Sequence, residues 1–377
     1  MRRLRLWAGA LVMTSWLAAA CGSGAGAPSA PAPPPAASAP QAAAPAAPAA
    51  ANASPAAGAG ASAPAAASGA SAPAAAPLQK LVLPYSPVEA SSTPLWLAVE
   101  EKLFERRGLD VELQFVGGSS AILQAMMGGQ FDVGGVGGGD IAPLRLAGGD
   151  VVMFGSYMSI FSQEGMVRPE IEQAADLRGK TLGVTRLGAS SHYATIAMLA
   201  SGGLRSDDAT MIQTGGVGES AAALLSGNVD GAMLGFPQNL EARRAGFRRL
   251  VNFQELGDYG LFPQNVLGAR ESWLREPANR ALTLQFLRAL SDALVLAKAG
   301  GPEAQAAIRK YAKVDDDAIL QATVDFYREF FPADLRVSEK SVANMLQFVA
   351  LDHPDVRGID PRTLYDNGLV EEILRDR

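Results

Sequence analysis

Cysteine is almost missing from this chain: Cys21 stands alone among 377 residues. An internal disulfide is therefore excluded, and so is a thiolate metal cluster. Histidine is nearly as scarce. His192 and His353 are the only two, so no metal site and no cofactor is expected. Basic excess is missing as well. The formal net charge is −6, and loss of Arg2, Arg3 and Arg5 with a leader would take it to −9. No basic stripe follows any segment, which argues against a nucleic-acid partner. A nucleophile elbow, a phosphate loop and a Ser/His/Asp order are all absent. Charge disappears completely over residues 22–77. Long apolar runs are lacking too: residues 6–17 form the apolar part of the leader, too short for a comfortable membrane span.

What is present begins with that leader. Arg2, Arg3 and Arg5 precede the apolar run, and Ala18, Ala19 and Ala20 lead directly into Cys21. This resembles a bacterial lipobox, although a typical one carries Leu three places before the cysteine and here that place holds Ala18. Residues 1–21 are thus expected to be a lipoprotein signal peptide. Lipid on Cys21 would hold the protein on a membrane outside the cytoplasm. Residues 22–77 contain Ala, Pro, Ser and Gly with Gln41 and Asn52. Such a segment buries no core and is expected to be a disordered tether. It would span roughly 170 Å as polyproline II, or about 40 Å r.m.s. as a flexible coil.

The folded part is organised around a stretch that occurs twice. Residues 117–137 read GGSSAILQAMMGGQFDVGGVG and residues 215–235 read GGVGESAAALLSGNVDGAMLG. The offset is 98 residues without a gap, and six of 21 positions are identical. Each copy reads as a Gly-Gly loop, a short helix ended by glycine, a turn with an aspartate, and a short strand running into a second glycine-containing loop. Two copies are too few for a solenoid and predict two similar lobes. In an open α/β sheet both loops would lie at the ligand-binding end of the strands.

Around the repeats the patterning predicts strands at 80–84, 109–116, 151–157, 181–184, 207–213 and 250–253. It predicts helices at 95–106, 120–127, 141–146, about 190–201 and 219–225. Asp140 is read as an N-cap. Residues 161–168 and 261–269 look extended and are read as two crossings between lobes. From Pro277 onward the pattern is helical, and two crossings would return this tail to the first lobe. The expected division is 78–166 for lobe one, 167–264 for lobe two and 265–377 for the return of lobe one.

GGSS…GGQFDVGGVG, DLRGKTLGV…GASSHY, LLSGNVDGAMLG and FPQNVLGARESWLRE occur in this order. Together they resemble the solute-binding proteins of ABC importers in the sulfonate/taurine/nitrate and thiamine-pyrimidine-precursor group. The resemblance covers roughly residues 78–377. It implies a periplasmic-binding-protein-like α/β fold of type II, with two lobes, a two-strand hinge and a ligand cleft between them. It also implies capture of a small organic solute, anionic and sulfonate- or carboxylate-like or else pyrimidine-like, and its delivery to an ABC transporter permease; with no oligomerisation signal in the sequence, a monomer is expected. A ligand-sensing lipoprotein that feeds a receptor is an alternative. An enzyme is another, but the group's thiamine-pyrimidine synthases use a Cys-rich motif that this chain cannot have.

Cleft chemistry can be read from the residues beside this resemblance. Gly118, Ser119 and Ser120, and Ser190 and Ser191, place hydroxyls at helix N-termini, where free N–H groups favour an anion. Ser119 and Ser120 either contact ligand or only cap their helix. Arg186 either adds a positive charge or is an exposed loop cation. His192 and Tyr193 could donate hydrogen bonds or stack, and His192 could equally be a core or surface histidine. Ser86, Gly138, Gly216, Gly235, Phe236 and Asn265 complete the expected ligand set. Asp132 and Asp230 are read as turn residues, and Trp96 and Phe262 as packing residues.

Overall fold

The computed structural model describes residues 77–376. The expected signal peptide, Cys21 and the tether up to residue 76 lie outside the described residues. The chain begins with β1 (Gln79–Tyr85), α1 (Thr93–Glu100), β2 (Leu109–Phe115), α2 (Ser119–Met127), β3 (Val133–Val136), α3 (Ile141–Leu146) and β4 (Val151–Ile160). It continues with β5 (Glu164–Val167), β6 (Thr181–Val184), α4 (Ser190–Ser201), β7 (Thr210–Gln213), α5 (Val217–Leu225), β8 (Gly231–Leu234), α6 (Gln238–Arg244) and β9 (Arg248–Asn252). After β10 (Leu261–Arg270) the chain is helical: α7 (Glu271–Arg275), α8 (Pro277–Ala299), α9 (Pro302–Ala312), α10 (Asp317–Phe330), α11 (Glu339–Val349) and α12 (Gly368–Arg375).

Two five-stranded sheets result, in the orders β2-β1-β3-β10-β4 and β7-β6-β8-β5-β9. They are built alike. Three parallel strands come first, and the fourth strand runs antiparallel to both of its neighbours. That fourth strand is exchanged. β5 follows β4 in sequence but pairs in the second sheet, and β10 follows β9 but pairs in the first. The chain therefore changes sheets at residues 161–163 and again at Phe253–Gly260.

The sequence repeat is this symmetry at residue level. α2 and β3 become α5 and β8 after the 98-residue offset, with the same bounds. Its aspartates do the same work twice. Asp132 pairs with Arg270 at the end of β10, and the Arg270 N–H donates to the Asp132 carbonyl. Asp230 pairs with Arg168 just beyond β5, and the Arg168 N–H donates to the Asp230 carbonyl. Each ion pair ties the exchanged strand to the repeat strand beside it.

The helical tail packs on the first sheet. Phe286 of α8 stacks on Phe104 at 4.9 Å, and Tyr311 of α9 stacks on Trp96 at 5.1 Å. Phe161 of the first crossing and Phe262 at the start of β10 stack at 4.1 Å, with Phe348 of α11 edge-on to Phe161. Trp96 and Phe262 are fully buried, as their packing role requires.

Several local expectations need correction. α1 stops at Glu100 instead of running to residue 106, because Lys102 adopts a positive φ of 51° that no helix continues through. Asp140 makes no capping hydrogen bond; its carboxyl is buried and one oxygen has no partner. Residues 164–167 are not a linker but β5, and residues 261–269 are not the crossing itself but β10, paired on both sides. A pattern of extended residues cannot distinguish a linker from a strand whose partners lie far away in sequence.

Candidate ligand cleft

The N-termini of α2 and α4 meet between the two sheets. Gly118, with φ of 92°, opens α2, and its N–H donates to Ser86 Oγ at 3.3 Å. Ser119 Oγ accepts from the Gly137 N–H at 2.7 Å, and Ser190 Oγ donates to the Gln264 carbonyl at 3.3 Å. Both hydroxyls close on Gly137, where any Cβ would overlap Ser190. Ser191 turns inward: its Oγ accepts from the Thr185 N–H at 3.0 Å and shares a 2.8 Å bond with Thr185 Oγ1. The space enclosed by Ser119, Thr185, Ser190, Gln163, Gln264 and Asn265 is about 20 Å³, which is room for a single water.

The lobes are latched shut around it. Arg186 Nε donates to the Gly117 carbonyl on the opposite lobe. Ser120 Oγ donates to the Leu187 carbonyl at 3.4 Å. A side chain at Gly118 would overlap Arg186, and a Cβ at Gly188 would lie 2.6 Å from Asp140 Oδ1. An organic solute can occupy this small space only after the lobes separate.

A buried carboxylate lies beside the cavity. Glu89 is 0 % exposed and sits between β1 and α1. Its Oε1 accepts from Ser91 Oγ at 2.8 Å, Gln264 Nε2 at 3.2 Å and Ser162 Oγ at 3.3 Å. Its Oε2 receives only a long 3.5 Å contact from Gln163 Nε2. Gln264 also ties β10 to the first crossing, since its Oε1 accepts from the Ser162 N–H at 2.6 Å. Burial pushes the Glu89 carboxyl above its usual range, against the lowering effect of the Ser91, Gln163 and Ser162 bonds.

The NMT1/THI5 like family model matches residues 89–304, from this same glutamate to α9. The chain belongs to the NMT1/THI5 like family. Its fold is that of the periplasmic binding proteins. A protein of Bordetella bronchiseptica RB50 is similar over 79 % of this chain and 97 % of its own, at 24 % identity and a TM-score of 0.72. The alkanesulfonate-binding protein SsuA from Xanthomonas axonopodis pv. citri, bound to MOPS, is similar over 79 % and 99 %, at 21 % identity and a TM-score of 0.61. The desulfurization enzyme DSZB is similar over 79 % and 100 %, at 19 % identity and a TM-score of 0.54. No curated protein matches the sequence.

In this member of the NMT1/THI5 like family, Ser86, Ser119, Ser190, Ser191 and Asn265 line the small cavity. Gly118, Ser120 and Arg186 are placed at the latch across the lobes, and the Arg186 guanidinium is committed to a backbone carbonyl there. Gly235 faces Glu89 across the cleft, and Gly138 packs on Pro263. Gly216 borders an adjoining cavity of about 300 Å³ with Phe115 and Tyr311, which shares Ser86, Pro87 and Thr185 with the small one. His192 lies outside the small cavity. Its Nδ1 accepts from the Gly188 N–H at 3.1 Å, and it borders a 490 Å³ recess with Asp352 and His353. Tyr193 is buried near Phe262, and Phe236 stacks on Phe326 at 4.1 Å. Tyr193 and Phe236 thus serve packing in the closed form.

Sequence reasoning missed Glu89, Gln163, Thr185 and Gln264. One signal was available. The first crossing and the start of β10 each carry a phenylalanine two places before a glutamine: Phe161 with Gln163, and Phe262 with Gln264. Glu89 is also the one charged residue in the loop 86–94.

Proposed function

We propose that the protein captures a small organic solute bearing an oxyanion, outside the cytoplasm, and hands it to an ABC importer permease by opening and closing its two lobes. The observation that carries this reading is the pair of helix N-termini facing each other across latched lobes, with an enclosed space about the size of one water between them. Such N-termini hold an anion with N–H groups and the helix dipole. A ligand that touches both lobes only when they are closed shifts the open–closed equilibrium by its differential affinity. The lining hydroxyls of Ser119, Ser190 and Ser191 bond the Gly137 N–H, the Gln264 carbonyl and Thr185, and none of these bonds is to a histidine or a carboxylate that would activate a nucleophile. That favours capture over the chemistry of an enzyme on the same fold.

The same reading makes the protein a monomer tethered by lipid on Cys21, supported by the alanines before that cysteine. No helix among the described residues is long and apolar enough to cross a membrane. Cys21→Ala should then release the protein from the membrane fraction, and unchanged partitioning would refute the anchor.

The capture test is a thermal-shift and native mass-spectrometry screen with alkyl and aryl sulfonates, carboxylates, nitrate, bicarbonate and pyrimidines. A solute at a hundred times its Kd adds about 2.7 kcal/mol of stability. A hit bound one-to-one and recovered unchanged supports capture. A hit converted to product would replace this reading with an enzyme.

A further inference from the structure

The loop that latches the lobes is itself held by side chains of its own lobe. Residues 185–189 join β6 to α4. Toward the first lobe this loop presents the Arg186 side chain to the Gly117 carbonyl, the Leu187 carbonyl to Ser120 Oγ and the Gly188 α-carbon to Asp140. Toward its own lobe it presents N–H groups. The Thr185 N–H donates to Ser191 Oγ at 3.0 Å, the Leu187 N–H to Gln213 Oε1 at 3.2 Å and the Gly188 N–H to His192 Nδ1 at 3.1 Å. One face of the loop makes the seam, and the other fixes its shape.

The latch needs that second face. Gly188 has φ of 85° and no side chain to restrain it. A loop free to sample several shapes would meet Gly117 and Ser120 only part of the time, and ordering it on closure would cost entropy. Gln213 ends β7 and is exposed, so core packing does not account for its bond to Leu187. His192 is buried in the first turn of α4, where an apolar side chain would serve packing alone. The imidazole adds an acceptor there. Only an unprotonated ring nitrogen accepts. Burial, helped by His353 and opposed by Asp352, pushes His192 below its ordinary value and keeps it in the accepting form. The site lies on the seam itself. His192 borders the recess with Asp352 and His353, which follow α11, and the neighbouring Tyr193 ring meets Gly139 of the first lobe.

We propose that His192 and Gln213 are positioning residues: their acceptors hold the 186–188 loop in the one shape that lets Arg186 and Leu187 latch the opposite lobe. This deepens the capture reading above, on which its purpose rests, because closure is the step that retains the solute. Neither residue touches the solute in this assignment. Both act through the loop.

The test is hydrogen–deuterium exchange by mass spectrometry on the full chain without any solute. Residues 117–120 and 137–139 of the first lobe face Arg186 and Ser190 across the seam, and residues 286–294 of α8 report the folded core. His192→Leu and Gln213→Ala should each speed exchange at the seam by about threefold or more and leave α8 unchanged, as local opening does. His192→Asn, whose amide oxygen is again an acceptor, should exchange within about twofold of the wild type. In a chain lacking both latch contacts, Arg186→Ala with Ser120→Ala, His192→Leu should add nothing, because residues acting through one contact are not additive. Wild-type exchange in His192→Leu and Gln213→Ala overturns the assignment. So does an asparagine variant as fast as the leucine one, or full additivity with the latch variants. Faster exchange in α8 would mark His192→Leu as misfolded, and Gln213→Ala, at an exposed position, then decides. Failure here leaves capture to the solute screen, and an empty solute screen leaves this result standing.

Discussion

Gly235 and Asp140 show how single residues govern a closing cleft. A methyl group on Gly235 meets Glu89 Oε2 at 2.6 Å and the Tyr327 hydroxyl at 2.9 Å. Both belong to the other lobe, and both are fully buried. Gly235→Ala should therefore leave each lobe folded but hold them apart. The expected result is at least a tenfold loss of solute affinity with the unfolding midpoint nearly unchanged, read by calorimetry and thermal denaturation. Asp140 makes a pH prediction. In the closed form burial pushes its carboxyl well above the usual range, beside Tyr193 and the Gly188 loop. The closed form thus binds a proton that an open, hydrated Asp140 would release near its ordinary value. Ligand-free closure should be strongest below that ordinary value and weaken as pH rises through the raised one. Asp140→Asn should flatten this dependence, measured as the radius of gyration against pH in small-angle scattering.

At the scale of elements the two crossings are one device. Phe161 stacks on Phe262, and Gln264 bridges from β10 to Ser162 and Glu89. Phe262→Ala removes a fully buried ring and should cost about 3–5 kcal/mol in denaturant unfolding. Gln264→Ala leaves the Ser162 N–H and part of the Glu89 carboxylate without their partner, an expected loss of about 1–3 kcal/mol. Proline substitution behaves differently along β10. At Leu267, which pairs with both β3 and β4, it should disrupt the first sheet and lower stability outright. A selective effect on closure belongs instead to the crossing segments, and an unfolding scan alongside scattering separates the two.

At the scale of the whole molecule, closure is an equilibrium set by a few contacts across the seam. Arg186 supplies one by holding the Gly117 carbonyl. Arg186→Ala should enlarge the ligand-free radius of gyration without changing the unfolding midpoint. Solute should still compact the variant, at higher concentration. Driving such a molecule from 1:99 to 99:1 closed requires about 5.5 kcal/mol of differential binding. Contacts from both helix N-termini are of the kind that contribute to it.

The sequence by itself determined the two-lobed plan. A repeat at a fixed offset keeps its loop, helix and strand in both copies, because each copy must satisfy the same local backbone geometry. It also determined the helical tail, whose apolar spacing is a local property. The serines at the two helix starts were legible because capping chemistry is local. Only the tertiary structure decided which strands change sheets, because strand pairing is made by partners about a hundred residues away. It alone turned Arg186 into a latch, put His192 on a recess beside the small cavity's wall and left Asp140 uncapped. It alone brought Glu89, Gln163 and Gln264 together. Those three come from three distant segments, and their shared carboxylate network has no local pattern. Its cause is burial between two lobes, which exists only once both have folded and met.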